Sequence, residues 1–150
     1  MIERRPNAPV KQMLPVIDEA NVRVSVDPTW GTVQPMSLHP EVKTVAELEL
    51  IACIEAGCRL IDTRRPEYVA QLGTIPGSIA IDWEHIDQHI DRLDADGTNV
   101  LYCNGPQCAA TPRAIERLIA AGFDPAHLTY YRGGIHDWVT LGYPLEPLAT

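Results

Sequence analysis

The sequence predicts an α/β fold built on a mostly parallel sheet, and three observations carry that expectation. Short apolar runs recur at CRLIDT (58–63), SIAIDW (78–83), VLYC (100–103) and LTYY (128–131). None shows the inside-outside alternation of a sheet with one wet face, so each reads as a strand buried on both sides. Stretches of helical period separate them, and strand-helix alternation is the pattern of parallel strands joined by crossover helices.

In chain order, residues 1–40 hold Pro6, Pro9, Pro15, Pro28, Pro35 and Pro40 and read as an extended arm with a short strand at 22–26 (VRVSV). Trp30 is an apolar residue in this loose segment, predicted to dock on the domain or on a second subunit. Thr44 to Glu47 form a capping-box pattern, which starts a helix that Gly57 ends. Further helices are expected at about 65–71, 84–92, 109–121 and 134–141. Helix 109–121 is the clearest: Ala110, Ala114, Ile115, Leu118 and Ile119 recur at helical spacing, Arg113, Glu116 and Arg117 face away, and Gly122 closes it. His85 and His89 fall one turn apart in the expected helix 84–92. With no carboxylate-rich third partner they read as an exposed face and not as a metal pair. Trp138 reads as core.

Composition narrows the function. A chain of 150 residues is the size of one domain, and 45% apolar content without low-complexity tracts argues for a globular one. Twelve basic against 20 acidic residues give a net charge of -8, which repels phosphate backbones and anionic lipid, so neither nucleic acid nor a membrane is an expected partner. The start, MIERRPNAPVKQ, lacks the apolar core of a signal peptide, and no run approaches the ~18 residues that span a bilayer, so a cytoplasmic location is expected. Four cysteines are too few for a disulfide scaffold and are expected as thiols. Cys53 and Cys58, at a helix end and a strand start, read as structural.

The chemistry gathers in YCNGPQCAATPR (102–113). A buried strand ends at Cys103, a Gly-Pro loop follows, and a helix begins near Ala109. Ligands collect at the carboxyl ends of strands in open α/β sheets, and loop N–H groups leading into a helix start stabilise an anion. Lowering a free thiol from ~8.5 to ~6.5 needs roughly 2.7 kcal/mol of preference for the thiolate, whereas a helix N-terminus supplies about 0.3–1 kcal/mol. Several loop amides must therefore encircle the sulfur. Gly105 would permit the backbone angles of such a cradle, and Pro106 would stiffen it while removing one donor. The bland alternative is that Cys103 is a small buried hydrophobe at a strand end. A metal site from Cys103 and Cys108 lacks two further ligands, and no cofactor is expected.

Four stretches, in order, resemble the rhodanese-like family of sulfurtransferase domains: LIDTRRPEYVAQLGTIPGSIAI (60–81), VLYCNGPQCA (100–109), AIERLIAAGF (114–123) and YRGGIHDWVTLGYPLE (131–146). The resemblance covers about residues 44–147. It implies a rhodanese-like α/β fold, a central, mostly parallel five-stranded sheet flanked by helices on both faces, with residues 1–40 a Pro-rich N-terminal arm and 41–150 the domain. It implies that Cys103 is the catalytic nucleophile and that Asn104, Gly105, Pro106, Gln107, Cys108 and Ala109 form the substrate-binding loop. The thiolate of Cys103 would take the outer sulfur of a small-molecule or protein persulfide donor, and pass it to a thiol or cyanide acceptor. The alternative is a non-catalytic module that binds a partner or senses redox state through Cys103 and Cys108. Asp62 and Arg64 would hold the loop or a neighbouring helix, with Arg64 also a candidate to face substrate. Arg132 would border the pocket or lie on the solvated surface.

Three departures from the family pattern stand out. Cys108 replaces the loop's usual terminal Arg and Ala109 the Ser or Thr after it. The phosphatase and arsenate-reductase relatives have a longer loop ending in Arg where Ala109 stands, so nothing in this loop clamps a phosphate bidentately. With no Lys or Arg in the loop, attraction for dianionic thiosulfate is expected to be weak. Thr74 replaces the family's His before Ile-Pro-Gly. Cys108 either resolves a persulfide on Cys103 or packs inward at the helix start. The arm offers a route to a homodimer.

Overall fold

The apolar runs become strands, trimmed at their ends. The computed structural model describes residues 13–27 and 30–148, so Pro6, Pro9 and Pro28 of the arm lie outside the described residues. In chain order the elements are β1 (Val16–Asp18), β2 (Arg23–Ser25), β3 (Lys43–Val45), α1 (Glu47–Glu55), β4 (Arg59–Asp62), α2 (Pro66–Leu72), β5 (Ile79–Ala80), β6 (Asn99–Tyr102), α3 (Ala110–Ala120), β7 (Leu128–Tyr131) and α4 (Gly134–Thr140). Five strands form one sheet in the order β3-β7-β6-β4-β5, and every neighbouring pair in it is parallel.

All four residues of both β6 and β7 are buried, as strands covered on both faces must be. Alternate residues feed two cores. Ile61, Leu101 and Tyr130 point to the face covered by α3, through Ala114, Ile115 and Leu118. Leu60, Val100, Tyr102 and Tyr131 point to the face covered by α1 and α4, through Leu50, Ile135 and Trp138. The indole N–H of Trp138 donates to the Pro144 carbonyl at 2.7 Å. Because β6 lies at the centre, the loop after it opens at the middle of the sheet's carboxyl edge.

Three local expectations are corrected. Thr44 caps no helix: it is the middle residue of β3, paired with Tyr130, and its hydroxyl donates to the Met36 carbonyl at 2.6 Å. Helix α1 therefore starts after Ala46 without a side-chain cap. The segment 84–92 is not an α-helix but two 3-10 turns, Ile86–Gln88 and Ile90–Arg92, so His85 and His89 flank a turn and share no helical face. Ile86 is fully buried there and anchors the segment against α3.

The arm is folded as well. β1 and β2 pair antiparallel, with Val16 opposite Ser25, and Val24 packs on the core beneath α4. Trp30 is 2% exposed and packs against Cys103 and Cys108 of its own chain.

Candidate active site

The ends of β4 and β6 set the site's foundation. Asp62 and Arg64 are fully buried and paired: the guanidinium Nη2 and Nε donate to the carboxylate at 2.7 and 3.0 Å. Thr74 donates to the same carboxylate at 2.7 Å and shares a 2.5 Å hydrogen bond with the Tyr102 hydroxyl, which also bonds Ser78. The residue standing where a His is usual thus completes the Asp62 network. Burial alone would lower the Arg64 guanidinium, but the Asp62 carboxylate more than offsets it and holds the group above its usual value. Arg64 also donates to the Gly73 carbonyl at 2.7 Å and reaches the Asn104 side-chain oxygen at 3.5 Å. A buried ion pair with every donor directed is a rigid base for the loop.

The loop is held from two sides. From α4, the amide of Ile135 donates to the Cys103 carbonyl at 3.0 Å and that of His136 to the Asn104 carbonyl at 2.8 Å. Gly134 makes this approach feasible: its φ is +59°, and a Cβ there would lie 2.3 Å from the Cys103 carbonyl oxygen. Gly105 serves by closeness and not by unusual angles, since its φ is not positive and a Cβ would meet the His136 ring at 3.0 Å. From the arm, the amides of Thr32 and Gln34 donate to the carbonyls of Gln107 and Pro106 at 3.2 and 2.8 Å. Arg132 is drawn into this clasp, donating through Nε and Nη2 to the Gln34 carbonyl at 3.0 and 2.7 Å.

Inside the loop lie two thiols. Cys103 and Cys108 are both buried, and the Cys103 Sγ–H donates toward the Cys108 carbonyl at 3.6 Å. The two side chains belong to one buried cluster with Trp30, close enough for each thiol to shift the ionisation of the other. The expected cradle closes on the pair and not on Cys103 alone. The amides of Ala110 and Asn104 face Cys108, and the amide and hydroxyl of Thr111 face Cys103. Thr111 is itself tied to Thr63 through a 2.9 Å hydroxyl contact. Burial, and then the Cys108 charge beside it, push Cys103 well above the ordinary thiol range. The hydrogen bond from Cys103, against the opposing effect of burial, brings Cys108 down to about 7, with the Ala110 and Asn104 amides and Arg64 helping. Of the two thiols, Cys108 is therefore the one the loop disposes toward ionisation, and Cys103 the one it keeps protonated.

Cys108 lines a cavity of about 460 Å³ together with Trp30, Arg64, Arg65, Trp83 and Arg113, among others. Its lining carries three arginines and no carboxylate, in a chain of net charge -8. The positive charge missing from the loop thus arrives from the end of β4 and the first turns of α3. Arg65 pairs with Glu84, and the Arg113 guanidinium stacks over Trp83 at 5.1 Å from the ring centre. Two buried polar groups nearby have no partner among the described residues: the Trp30 Nε1–H and the Tyr130 hydroxyl, whose phenol senses the charge of both thiols.

The sequence model of the rhodanese-like domain family matches residues 46–141. The chain belongs to the rhodanese-like domain family. A curated relative from Mycobacterium tuberculosis, an HTH-type transcriptional regulator, is 31% identical over 103 residues, covering 68% of this chain and 44% of that protein. The chain thus spans less than half of that relative's length. Among solved structures, a rhodanese-related protein from Thermoplasma volcanium has a TM-score of 0.56 at 22% identity, covering 71% of this chain and 99% of that one. A rhodanese-like domain protein from Staphylococcus aureus has a TM-score of 0.57 at 22% identity, covering 70% and 99%. A Rhodopseudomonas palustris protein described as a possible tyrosine phosphatase has a TM-score of 0.60 at 23% identity, covering 73% and 88%. These likenesses establish the rhodanese-like fold.

Within this rhodanese-like domain, Cys103, the loop 104–109 and the Asp62–Arg64 pair come together, whereas Arg132 is engaged with the arm. Arg65, Thr111 and Arg113 were not singled out from the sequence. Arg113 carries a weak signal, as a cation at the fourth position of α3 and four residues past the loop's end, but the helical pattern alone reads it as a solvated face. Cys53 and Cys58 are half-buried neighbours remote from the loop, and burial together with a hydrogen bond from Cys53 pushes Cys58 up to about 12. Among the described residues no helix is long and apolar enough to cross a membrane, and no group of three metal-ligating side chains occurs.

Proposed function

We propose that this rhodanese-like domain is a sulfurtransferase that carries sulfane sulfur on Cys103. The observation that supports it most is the thiol pair buried at the sheet's carboxyl edge, with Cys108 bordering an arginine-lined cavity. An anionic persulfide donor is drawn to Arg65 and Arg113. As the Cys103 sulfur attacks the donor's outer sulfur, its proton passes to the Cys108 thiolate and the donor's S–S bond breaks. The donor leaves as a thiol, carrying that proton, and Cys103 bears the persulfide until a thiol or cyanide removes the sulfur. Phosphoryl transfer has less support, because Ala109 stands where a phosphate-clamping Arg is needed. We place the reaction in the cytoplasm, where thiols stay reduced.

A second reading has one observation in its favour, the similarity to a transcriptional regulator. Under it the same pair reports redox state and turns nothing over. One experiment separates the two. The protein is treated with glutathione persulfide and its mass measured, and in a parallel sample containing cyanide thiocyanate is counted over many cycles. The sulfurtransferase carries about 32 Da on the Cys103 peptide at the earliest times, before any onward reaction of the persulfide, and with excess cyanide present from the start makes thiocyanate in excess of protein. A Cys103→Ser variant that keeps both properties, or a wild type that reacts only once, defeats the proposal.

A further inference from the structure

We propose that Cys108 is a second sulfur nucleophile of this site, so that the domain also reduces sulfane sulfur to sulfide and is left with a Cys103–Cys108 disulfide. The inference rests on the sulfur-carrier role of Cys103 and extends it. Three features of the loop carry it. First, Cys108 sits within reach: Cys103 Sγ approaches the Cys108 carbonyl oxygen to 3.6 Å, and both side chains are buried in one small cluster. A disulfide needs a Cα separation of about 4.4–6.8 Å, and a loop that curls back on itself within five residues is the kind of backbone that supplies it. The turn is fixed by the Cys108 amide, which donates to the Gly105 carbonyl at 3.0 Å.

Second, Cys108 is not a core thiol facing only carbon. It borders the arginine-lined cavity, and the amides of Asn104 and Ala110 point at its sulfur. Cys58, the chain's contrasting case, contacts Cys53 but has no such donors beyond its own amide. Third, the Trp30 indole is buried in one cluster with both loop cysteines, and its N–H has no partner among the described residues. A departing hydrosulfide is an anion that such a donor can meet, and a resting thiol pair leaves it idle.

The step balances without an unnamed reagent. The Cys108 thiolate attacks Cys103 Sγ in the Cys103–S–SH persulfide and a Cys103–Cys108 S–S bond forms. The bond to the outer sulfur breaks, and that sulfur leaves with the electron pair and its hydrogen as HS⁻. The two cysteine sulfurs together lose two electrons and the sulfane sulfur gains two. A dithiol reductant then exchanges with the disulfide, restoring both thiols and becoming a disulfide itself.

The test uses one equivalent of glutathione persulfide on the reduced protein, with no reductant present, followed by intact mass and sulfide measurement. Wild type is expected to release about one sulfide per chain and lose about 2 Da, with a crosslinked 103–108 peptide that dithiothreitol reopens. Cys108→Ser and Cys108→Ala, which lack the proton acceptor, are expected to load more slowly and are therefore incubated at raised pH until uptake is complete; they then keep about 32 Da on Cys103 and release sulfide only when thiol is added. Two variants of different polarity are used so that a folding defect in one is visible in its circular dichroism and does not decide the result. A wild type that keeps the added sulfur with Cys108 still alkylatable, or variants that release sulfide as wild type does, overturns the inference while leaving sulfur transfer standing. If neither wild type nor variants take up sulfur, the transfer reading itself fails and this one with it.

Discussion

Replacing Trp30 with alanine tests whether the arm governs access to the loop thiols. The indole is 2% exposed and rests on Cys103 and Cys108. Truncating a buried Trp to Ala typically costs about 3–5 kcal/mol. Part of that is recovered here, because the Nε1–H is buried with no partner and an unpaired donor carries a penalty of about 1–3 kcal/mol. A net loss of about 2–2.8 kcal/mol then falls on docking of the arm, whose backbone bonds from Thr32 and Gln34 and whose clasp from Arg132 remain. At about 1.4 kcal/mol per factor of ten, the population with the arm lifted rises roughly 30- to 100-fold. The assay is alkylation of Cys103 and Cys108 by iodoacetamide, followed peptide by peptide, under conditions where the arm recloses faster than the reagent reacts. The two loop thiols should react roughly 30- to 100-fold faster in Trp30→Ala, while Cys53 and Cys58, elsewhere in the fold, keep their wild-type rates and serve as internal controls. Loop-thiol rates within about threefold of wild type would refute the reasoning, since the thiols would then reach solvent without the indole moving.

Two further outcomes follow from the charge arrangement. In the proposed transfer Cys108 takes the proton of Cys103, and its thiol is lowered to about 7, so sulfur uptake should fall about tenfold per unit as pH drops beneath that point. In Cys108→Ala the rising limb should move upward, because burial then acts on Cys103 with no neighbouring thiolate to take its proton. Comparing the two proteins at each pH by stopped flow cancels the donor's own ionisation, and coincident limbs would remove Cys108 from the proton transfer. Arg64→Met should lose about 3–5 kcal/mol in urea denaturation, because it leaves the fully buried Asp62 carboxylate without its counter-charge. A loss below about 1 kcal/mol would mean that Thr74 and Tyr102 alone suffice to hold it.

The parts of the fold that could be read from sequence are those that local pattern dictates. LTYY is a strand over its whole length, and helix 109–121 differs from α3 by a residue at each end. β3 escaped because KTV is three residues long, with Lys43 exposed, and its TVAE context mimics a helix start. The segment 84–92 has Ile86 and Ile90 at helical spacing, yet only Ile86 is fully buried, so packing holds one turn and not a continuous stripe. In the site, the loop is one contiguous motif, and its placement follows from the strand before it. The cavity's charge is different in kind: Arg65 follows β4 and Arg113 sits in α3, and only the sheet order sets them side by side. The same applies to Trp30, whose partners lie far along the chain.

The two-sided clasp on the loop also bears on how the protein comes off the ribosome. The Cys103 and Asn104 carbonyls are claimed by amides of residues 135 and 136, so the loop cannot adopt its closed form until about thirty further residues have been made and α4 has formed. Until that moment Cys103 and Cys108 sit in an emerging chain as ordinary, accessible thiols. Oxidants and electrophiles in the nascent chain's surroundings therefore meet the pair at its least guarded, and enclosure of the sulfurs is a late event of synthesis, coinciding with completion of the fold.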